Sequence, residues 1–362
     1  MSPTQVNKRV FFRCGNPFKI LFPKNNNNNA TLSPKLLSIL NNFETDLTVS
    51  IRELIPKDEN DIITVSWMNQ AMESLCGTHK SIRTLVTDLE HPVSDLEENL
   101  IYMYSDISLK LLELCNAFTS ELDRLNHGNL LLKFAFSKLE TNYVPEEFSH
   151  LDSWNQLMAS KNPRIENCGA VMSSLVESMN HHHRLSEKAK KKQSAKEKVL
   201  LRALYGVKVK TLYIFGVFAA AFSGSCKNLF YLTIPKDMEE ELPWAQAFME
   251  LQNSINPEIK NTFLSDKFTV IKDLEAVESG VKKLYTAVAQ EGSVPNLLVE
   301  LLKKSVIELS ERIDLVSNET RRLLKIVISA RDALNETLWT KFAEELGATL
   351  PMIKNVKRLV CE

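Results

Sequence analysis

Glycine and proline are scarce in this chain, whose 362 residues include 10 glycines and 13 prolines. Both fall mostly between segments in which apolar residues recur at helical spacing. A many-turned β fold needs frequent turn formers, whereas long windows without glycine or proline suit helices. With 44% hydrophobic residues the chain is long enough to bury a real core. We therefore predict an all-α fold.

An excess of charge of either sign is also missing, because 44 basic residues face 45 acidic ones and the formal net charge is −1. A protein that holds nucleic acid needs a basic field over its surface. We therefore expect no nucleic acid among the partners. Long apolar stripes instead favour protein partners and permit self-association.

Paired cysteines are lacking as well, since no CxxC motif and no short-range framework occurs. Scattered cysteines of this kind are expected to be reduced thiols rather than a disulfide scaffold. They are Cys14, Cys76, Cys115, Cys168, Cys226 and Cys361.

Motifs that carry catalysis are absent too: there is no HExxH, no GxGxxG and no Walker-type loop. The adjacent His181, His182 and His183 would point about 100° apart on a helix and could not converge on one metal ion. Cys76 and His79 are interpreted as a core thiol beside a surface imidazole rather than a nucleophile and its base. We predict no catalytic residue, no metal ligand and no cofactor.

Heptad-like apolar spacing is what the chain does contain, with alternating steps of four and three. This pattern keeps one stripe of a helix against a partner helix, as in a coiled coil. We predict an elongated bundle of long, mostly antiparallel amphipathic helices. The clearest stripe consists of Leu302, Val306, Leu309, Ile313, Val316, Thr320, Leu323, Val327, Ala330 and Leu334.

Helix boundaries follow from capping residues and prolines. Ser33 and Pro34 open a first helix, which Pro56 ends, and His91-Pro92 stops a second. The predicted helices are 34–55, 61–89, 94–139, a segment from 165 into the basic run, and then 243–255, 258–290 and 296–342, with a less regular connector at 141–164.

Four parts of the chain are expected on this basis. Residues 1–30 form a basic, flexible tail and 31–180 an N-terminal helical part. Residues 181–234 hold a basic run and a central apolar helix, and 235–362 form a C-terminal helical part. The alternative is that 31–362 is one continuous domain.

The N-terminal segment has no acidic residue from Met1 to Phe43 but six basic ones. This bias is typical of an organellar transit peptide. A flexible tail, or a short docking segment built on its apolar residues, are the alternatives. The start lacks the apolar run and cleavage site of a secretory signal, so secretion is not expected. We favour a cytoplasmic or membrane-associated protein, with plastid targeting as the other reading.

A lysine-rich run from 188 to 210 stands directly before the apolar run Leu212–Phe222. Basic charge beside an apolar helix is typical of membrane contact, yet a span needs about 20 apolar residues and this run is shorter. Three alternatives follow for residues 209–234. They form a buried core helix, they span a membrane, or they contact a membrane peripherally together with the lysines, over residues 188–234. The candidate membrane or helix-packing residues are Leu212, Phe215, Gly216, Ala220 and Gly224.

Lys190, Lys191 and Lys192 are the candidate contacts to anionic lipid. A solvated helix face and a nuclear localisation signal are the alternatives for these lysines.

Four segments of the chain carry a family resemblance. They are GNPFKILFPK (Gly15–Lys24), LSPKLLSILNNFE (Leu32–Glu44), SWMNQAMESLCGTHKSIRTLVTDLEHPVSDLEE (Ser66–Glu98) and YSDISLKLLELCNAFTSELDRLNHGNLLLKFAFSKLE (Tyr104–Glu140). These segments resemble the plant BYPASS family. The resemblance implies a plant protein needed for normal root and shoot development. The family is associated with restraining a root-derived mobile signal that arrests shoot growth, and it has no established enzymatic chemistry. It therefore implies a non-enzymatic regulatory or interaction protein.

Two other functional hypotheses remain beside this one. The chain could bind a small molecule or act as an enzyme on a signal precursor, which would require a concave pocket with convergent polar groups. It could also be a membrane-tethered scaffold, which differs from the first hypothesis only in the fate of residues 209–234.

Overall fold

A computed structural model describes residues 32–58, 61–89, 98–139, 147–188, 194–224, 234, 239–264, 271–291 and 296–345. Within these ranges the regular structure is helical and contains no strand, which confirms the all-α prediction. The helices are α1 (Pro34–Arg52), α2 (Val65–Asp88), α3 (Glu98–Leu139), α4 (Glu147–Ala159), α5 (Pro163–Lys188), α6 (Ala195–Ser223), α7 (Ala245–Leu264), α8 (Lys272–Glu291) and α9 (Asn296–Glu345).

Side-chain caps explain where three of these helices begin. Ser33 accepts a hydrogen bond from the backbone of α1, with Pro34 at the first helical position as predicted, and Thr64 caps α2 in the same way. Ser194 and Glu197 form a reciprocal capping box at the start of α6. Gly224 ends α6 with φ 59°, a left-handed conformation that glycine adopts without steric cost.

The long helix α9 shows why the heptad pattern is present. At about 1.5 Å per residue its 50 residues extend over about 75 Å, and it packs along both α3 and α2. Eight members of the predicted stripe, from Leu302 to Val327, are buried in that contact. The stripe therefore joins the C-terminal part of the chain to its N-terminal part in one hydrophobic core.

Helix α6 lies inside this core and packs against α1, α2 and α5. Every residue from Val209 to Ala221 is buried, so the helix has no exposed face over that length. Aromatic rings fix it in place: Phe118 of α3 lies 5.2 Å from Phe215 and 5.5 Å from Phe218, measured between ring centroids. Tyr213 meets Phe248 of α7 edge to face at 5.3 Å. Edge-to-face pairs of this kind add to the burial of their apolar area.

Three of the predicted boundaries are wrong. The single helix predicted at 258–290 is two helices, since α7 ends at Leu264 and α8 begins at Lys272. The connector predicted at 141–164 contains α4, because Leu151 and Trp154 are buried and give the segment an apolar face despite its irregular composition. The break predicted after residue 255 does not occur, and α7 continues through Pro257 to Leu264. The burial of Ile255 and Ile259 on either side of this proline accounts for the continuation, since tertiary packing offsets the lost backbone hydrogen bond.

Candidate functional site

A buried lysine is the most unusual polar feature in the described part of the chain. Lys210 of α6 is 1% exposed, and its ammonium lies between α1 and α2. The Nζ atom donates to Ser50 Oγ at 2.7 Å, to Ser74 Oγ at 2.7 Å and to Thr78 Oγ1 at 2.9 Å. A lysine ammonium has three N–H donors, so these hydroxyls satisfy all of them.

Each of these hydroxyls also donates a hydrogen bond to a main-chain carbonyl. Ser50 donates to Leu47 O, Ser74 to Ser50 O and Thr78 to Ser74 O, at 2.9, 3.1 and 2.9 Å. Their oxygens are consequently left as acceptors towards Lys210. The network is complete as a set of hydrogen bonds, but it contains no negative charge.

The charge of Lys210 is therefore uncompensated at close range. Burial lowers the pKa of this lysine from 10.5 to about 7, and the attraction of Glu53 opposes the shift without cancelling it. The described residues place no carboxylate within ion-pair distance, 4.0 Å, of its Nζ. A buried cation without a counter-ion is costly to a fold and marks a candidate functional site.

A groove between α1 and α2 lies directly above this lysine. Its volume is about 570 Å³, within the range of small-molecule sites. Ser50, Ser74 and Thr78, which hold the ammonium, also form the floor of the groove. The other lining residues are Phe43, Asp46, Leu47, Glu53, Leu54, Gln70, Glu73, Gly77 and Ser81.

A histidine lies on the other side of the lysine. His79 is buried, and its Nε2 lies 3.2 Å from Thr211 Oγ1. The Thr211 hydroxyl donates its hydrogen bond to Val207 O. The imidazole must therefore donate from Nε2. Burial and the neighbouring Lys210 lower the pKa of His79 from 6.5 to about 4, so the ring is neutral at physiological pH.

Arg202, also on α6, carries a second charge that is directed towards α1. Its guanidinium binds the carboxylate of Glu44 in α1 through two bonds of 2.7 and 2.9 Å, and a third bond of 2.6 Å reaches Glu241 O. Glu44 is 1% exposed. This bidentate pair ties α1 to α6 beside the groove.

A smaller cavity of about 340 Å³ opens among α3, α4, α5 and the end of α6. Glu121 is buried there and is held by Arg124 at 2.6 and 2.9 Å and by Asn162 at 3.0 Å. Trp154 and Phe222 supply apolar walls. Its charged groups are paired with one another, in contrast to the lysine beneath the α1–α2 groove.

The candidate membrane or helix-packing residues lie along α6. Leu212, Phe215, Gly216 and Ala220 are buried in the core, and Gly224 forms the C-cap. Helix α6 is long and apolar enough to cross a membrane, and 89% of its most apolar window is buried inside the protein. Core helices of soluble proteins share both properties, so they do not by themselves indicate a span.

The candidate lipid contacts Lys190, Lys191 and Lys192 lie outside the described residues, as do the side chains of His181, His182 and His183. Two basic residues in the described part of the same run are not simply solvated. Arg202 and Lys210 are turned into the protein, where they contact α1 and α2.

The interpretation of His79 as a surface imidazole is wrong, because α2 is covered on that side by α6. Cys76 is the core thiol expected, and burial together with Glu319 raises its pKa to about 12. One part of the lysine site is visible in the sequence, since Ser74 and Thr78 share a helix face at i,i+4 spacing, whereas Lys210 is one of several basic residues that precede the apolar run. Periodicity alone does not reveal that the two faces meet.

The fold and site define a class of protein: an all-helical bundle whose central apolar helix carries a buried lysine beneath a polar groove. Protein BPS1, chloroplastic, of Arabidopsis thaliana is 58% identical over 354 residues, which is 97% of each chain. The chain belongs to the BYPASS family. UPF0496 protein 4 of Oryza sativa, in subspecies indica and japonica, is 36% identical over 292 residues. That match covers 79% of this chain and 61% of each rice protein.

No protein-family model matches the chain. No solved structure matches it either.

Proposed function

We propose that this chain is a non-enzymatic regulatory protein of plant root and shoot development, which restrains a root-derived mobile signal that arrests shoot growth. The observation that carries the proposal is the 58% identity to Protein BPS1 along nearly the whole of both chains. Identity at that level along 97% of both chains supports a role of the same kind for this chain. The family association with a mobile signal then supplies the biological role.

A regulatory rather than catalytic role agrees with the state of three buried thiols and of one buried histidine. Burial raises the pKa of Cys76, Cys115 and Cys168 to about 12 each, so their thiols stay protonated, whereas a catalytic cysteine needs a thiolate. The imidazole of His79 is neutral, and its Nε2 is committed to Thr211. These groups stabilise the core instead of activating a substrate.

For localisation we propose a plastid, because the Arabidopsis relative is named chloroplastic and the first 43 residues of this chain are basic and lack acids. A fusion of residues 1–43 to a fluorescent protein should enter plastids of leaf cells. Uniform cytoplasmic fluorescence of that fusion would contradict targeting by this segment.

For residues 209–223, the part of the candidate segment that lies in α6, we propose a core helix rather than a membrane contact, since α1, α2 and α5 cover α6. We further propose that 31–362 functions as one domain, because α9 packs along α2 and α3. Protein partners would then bind the exposed faces of the outer helices.

Reciprocal grafting tests the developmental role. Roots in which the gene for this chain is inactivated are grafted beneath normal shoots, and the reverse graft is the control. Shoot growth should arrest above the altered roots and continue in the reverse graft, and expression of the chain in roots alone should restore it. Normal shoots above altered roots would contradict restraint of a mobile signal.

A further inference from the structure

The groove between α1 and α2 carries charges of opposite sign at its two ends. Beneath its floor lies the ammonium of Lys210, which has three hydroxyl partners and, among the residues that the structure describes, no carboxylate at ion-pair distance. Around its walls and mouth stand three carboxylates, Asp46, Glu53 and Glu73, all on exposed residues. The described residues that line it include no lysine or arginine. The groove is thus negative at the rim and, when Lys210 is protonated, positive at depth.

This arrangement disfavours ligands with a single charge. A simple anion must pass the carboxylates of the rim before it reaches Lys210, and a simple cation is repelled by Lys210 once it enters. A molecule with an anionic group at one end and a cationic group at the other meets an opposite charge at both. Electrostatic complementarity of this kind selects among ligands of similar size.

We propose that this groove binds a small free zwitterion, whose anionic group lies against the hydroxyls over Lys210 and whose cationic group lies at the carboxylates of the rim. The compound class is that of amino acids and similar amino-carboxylates. A volume of about 570 Å³ accommodates molecules of this size. The inference goes beyond the developmental role and does not rest on it.

The hydroxyls provide the means of recognition. Ser50, Ser74 and Thr78 accept from Lys210 and donate to the main-chain carbonyls of Leu47, Ser50 and Ser74, respectively. Rotation of a hydroxyl towards a bound carboxylate exchanges a neutral hydrogen bond for a charge-assisted one, which is stronger. Gly77 keeps the neighbouring wall open, since a Cβ atom there would meet nothing within 4 Å.

Proton uptake is a signature that this arrangement predicts. The groups that face Lys210 or line the groove are Asp46 and Glu53 of α1, and Glu73 and His79 of α2. With a pKa of about 7, Lys210 is largely neutral slightly above that pH, and an anion placed beside it raises the pKa. Binding should therefore take up part of a proton.

Isothermal titration calorimetry of the full chain at about pH 7.5, in two buffers of different ionisation enthalpy, measures binding and proton uptake together. The probes are the ω-amino acids from glycine to 6-aminohexanoate, which differ in charge separation. Butyrate and butylamine serve as single-charge controls for 4-aminobutyrate. We expect a member of the series to bind about tenfold or more tightly than either control, with heat that depends on the buffer.

Variants assign the binding to the two ends of the groove. Lys210→Met should abolish proton uptake and weaken binding about tenfold or more, whereas Lys208→Met on the same helix should leave both unchanged. Glu53→Gln removes an exposed carboxylate of the rim, and it should weaken zwitterions while leaving butyrate no weaker. Circular dichroism checks that each variant is folded.

Three outcomes would overturn the proposal. Butyrate could bind as tightly as the ω-amino acids, which would make the groove a plain anion site. No probe could bind, which would make the lysine network a structural feature alone. The chain could sediment with phosphatidylcholine vesicles while binding no free zwitterion, which would assign the groove to a lipid surface. None of these outcomes depends on the grafting result.

Discussion

The pair of Arg202 and Glu44 allows a quantitative test of how α6 is held in the protein. Arg202 belongs to the basic run that the sequence suggested for solvent or lipid, yet it binds a carboxylate of α1. Replacement by methionine, in Arg202→Met, keeps the apolar stem of the side chain and removes the guanidinium. The carboxylate of Glu44, which is 1% exposed, then loses its partner.

The expected cost follows from burial. Removing one member of a buried ion pair destabilises a protein by about 3–5 kcal/mol, because the remaining charge is left desolvated and unpaired. The side chain of Arg202 is 23% exposed, so water can partly replace it, and the lower end of the range, about 3 kcal/mol, is expected. Removing both charges, in the double variant Arg202→Met with Glu44→Met, should recover most of that loss.

Urea unfolding followed by circular dichroism gives the free energies. The control is Lys304→Met, whose partner Glu308 lies 4.0 Å away on an exposed face of α9 and whose loss should change stability by less than about 0.5 kcal/mol. If Arg202→Met is as stable as the control, the pair does not form and the packing of α6 against α1 is refuted. A double variant less stable than Arg202→Met would refute the desolvation argument.

Further predictions concern a histidine, two glycines and the thiols. Because the pKa of His79 falls from 6.5 to about 4 on folding, the unfolded chain binds more protons between those values, so stability should drop by about 3 kcal/mol on acidification through that window. His79→Gln, which keeps an N–H donor, should flatten that part of the curve; an unchanged curve would contradict the assignment. Gly206→Ala places a Cβ atom 2.5 Å from Leu47 Cδ2 and should cost about 1–3 kcal/mol in thermal unfolding. Gly77→Ala meets open space and should gain about 0.5–1 kcal/mol, so equal effects would contradict the packing. The buried thiols should resist iodoacetamide until urea unfolds the chain, and peptide mapping that shows rapid alkylation in the native state would contradict their burial.

Most of the helices could be predicted from the periodicity of apolar residues in the sequence. The α9 stripe from Leu302 to Val327 and the start of α1 at Ser33-Pro34 follow from apolar spacing and capping, which are local properties of the chain. Helix α4 and the continuation of α7 through Pro257 do not follow from local signals. Both depend on tertiary contacts, of α4 with α3 and of α7 with α1, which supply buried partners for an otherwise weak helical segment.

The candidate site shows the same limit more sharply. A lysine in a basic run is normally solvated, and nothing within the run distinguishes Lys210 from its neighbours. Its burial depends on α6 entering between α1 and α2, whose hydroxyls come from positions 160 and 136 residues away in sequence. The resemblance to the BYPASS family supplied a biological context, whereas the polar groove became visible only once three helices were brought together.

Carbonate extraction of the full-length chain from plant cells tests most directly the central claim that α6 is a core helix. Membranes are washed at alkaline pH, and the tagged chain is followed in supernatant and pellet beside a known integral membrane protein and a known soluble one. With α6 buried among α1, α2 and α5, we expect complete release into the supernatant. Retention of the chain in the pellet with the integral marker would contradict the buried position of Leu212–Phe222.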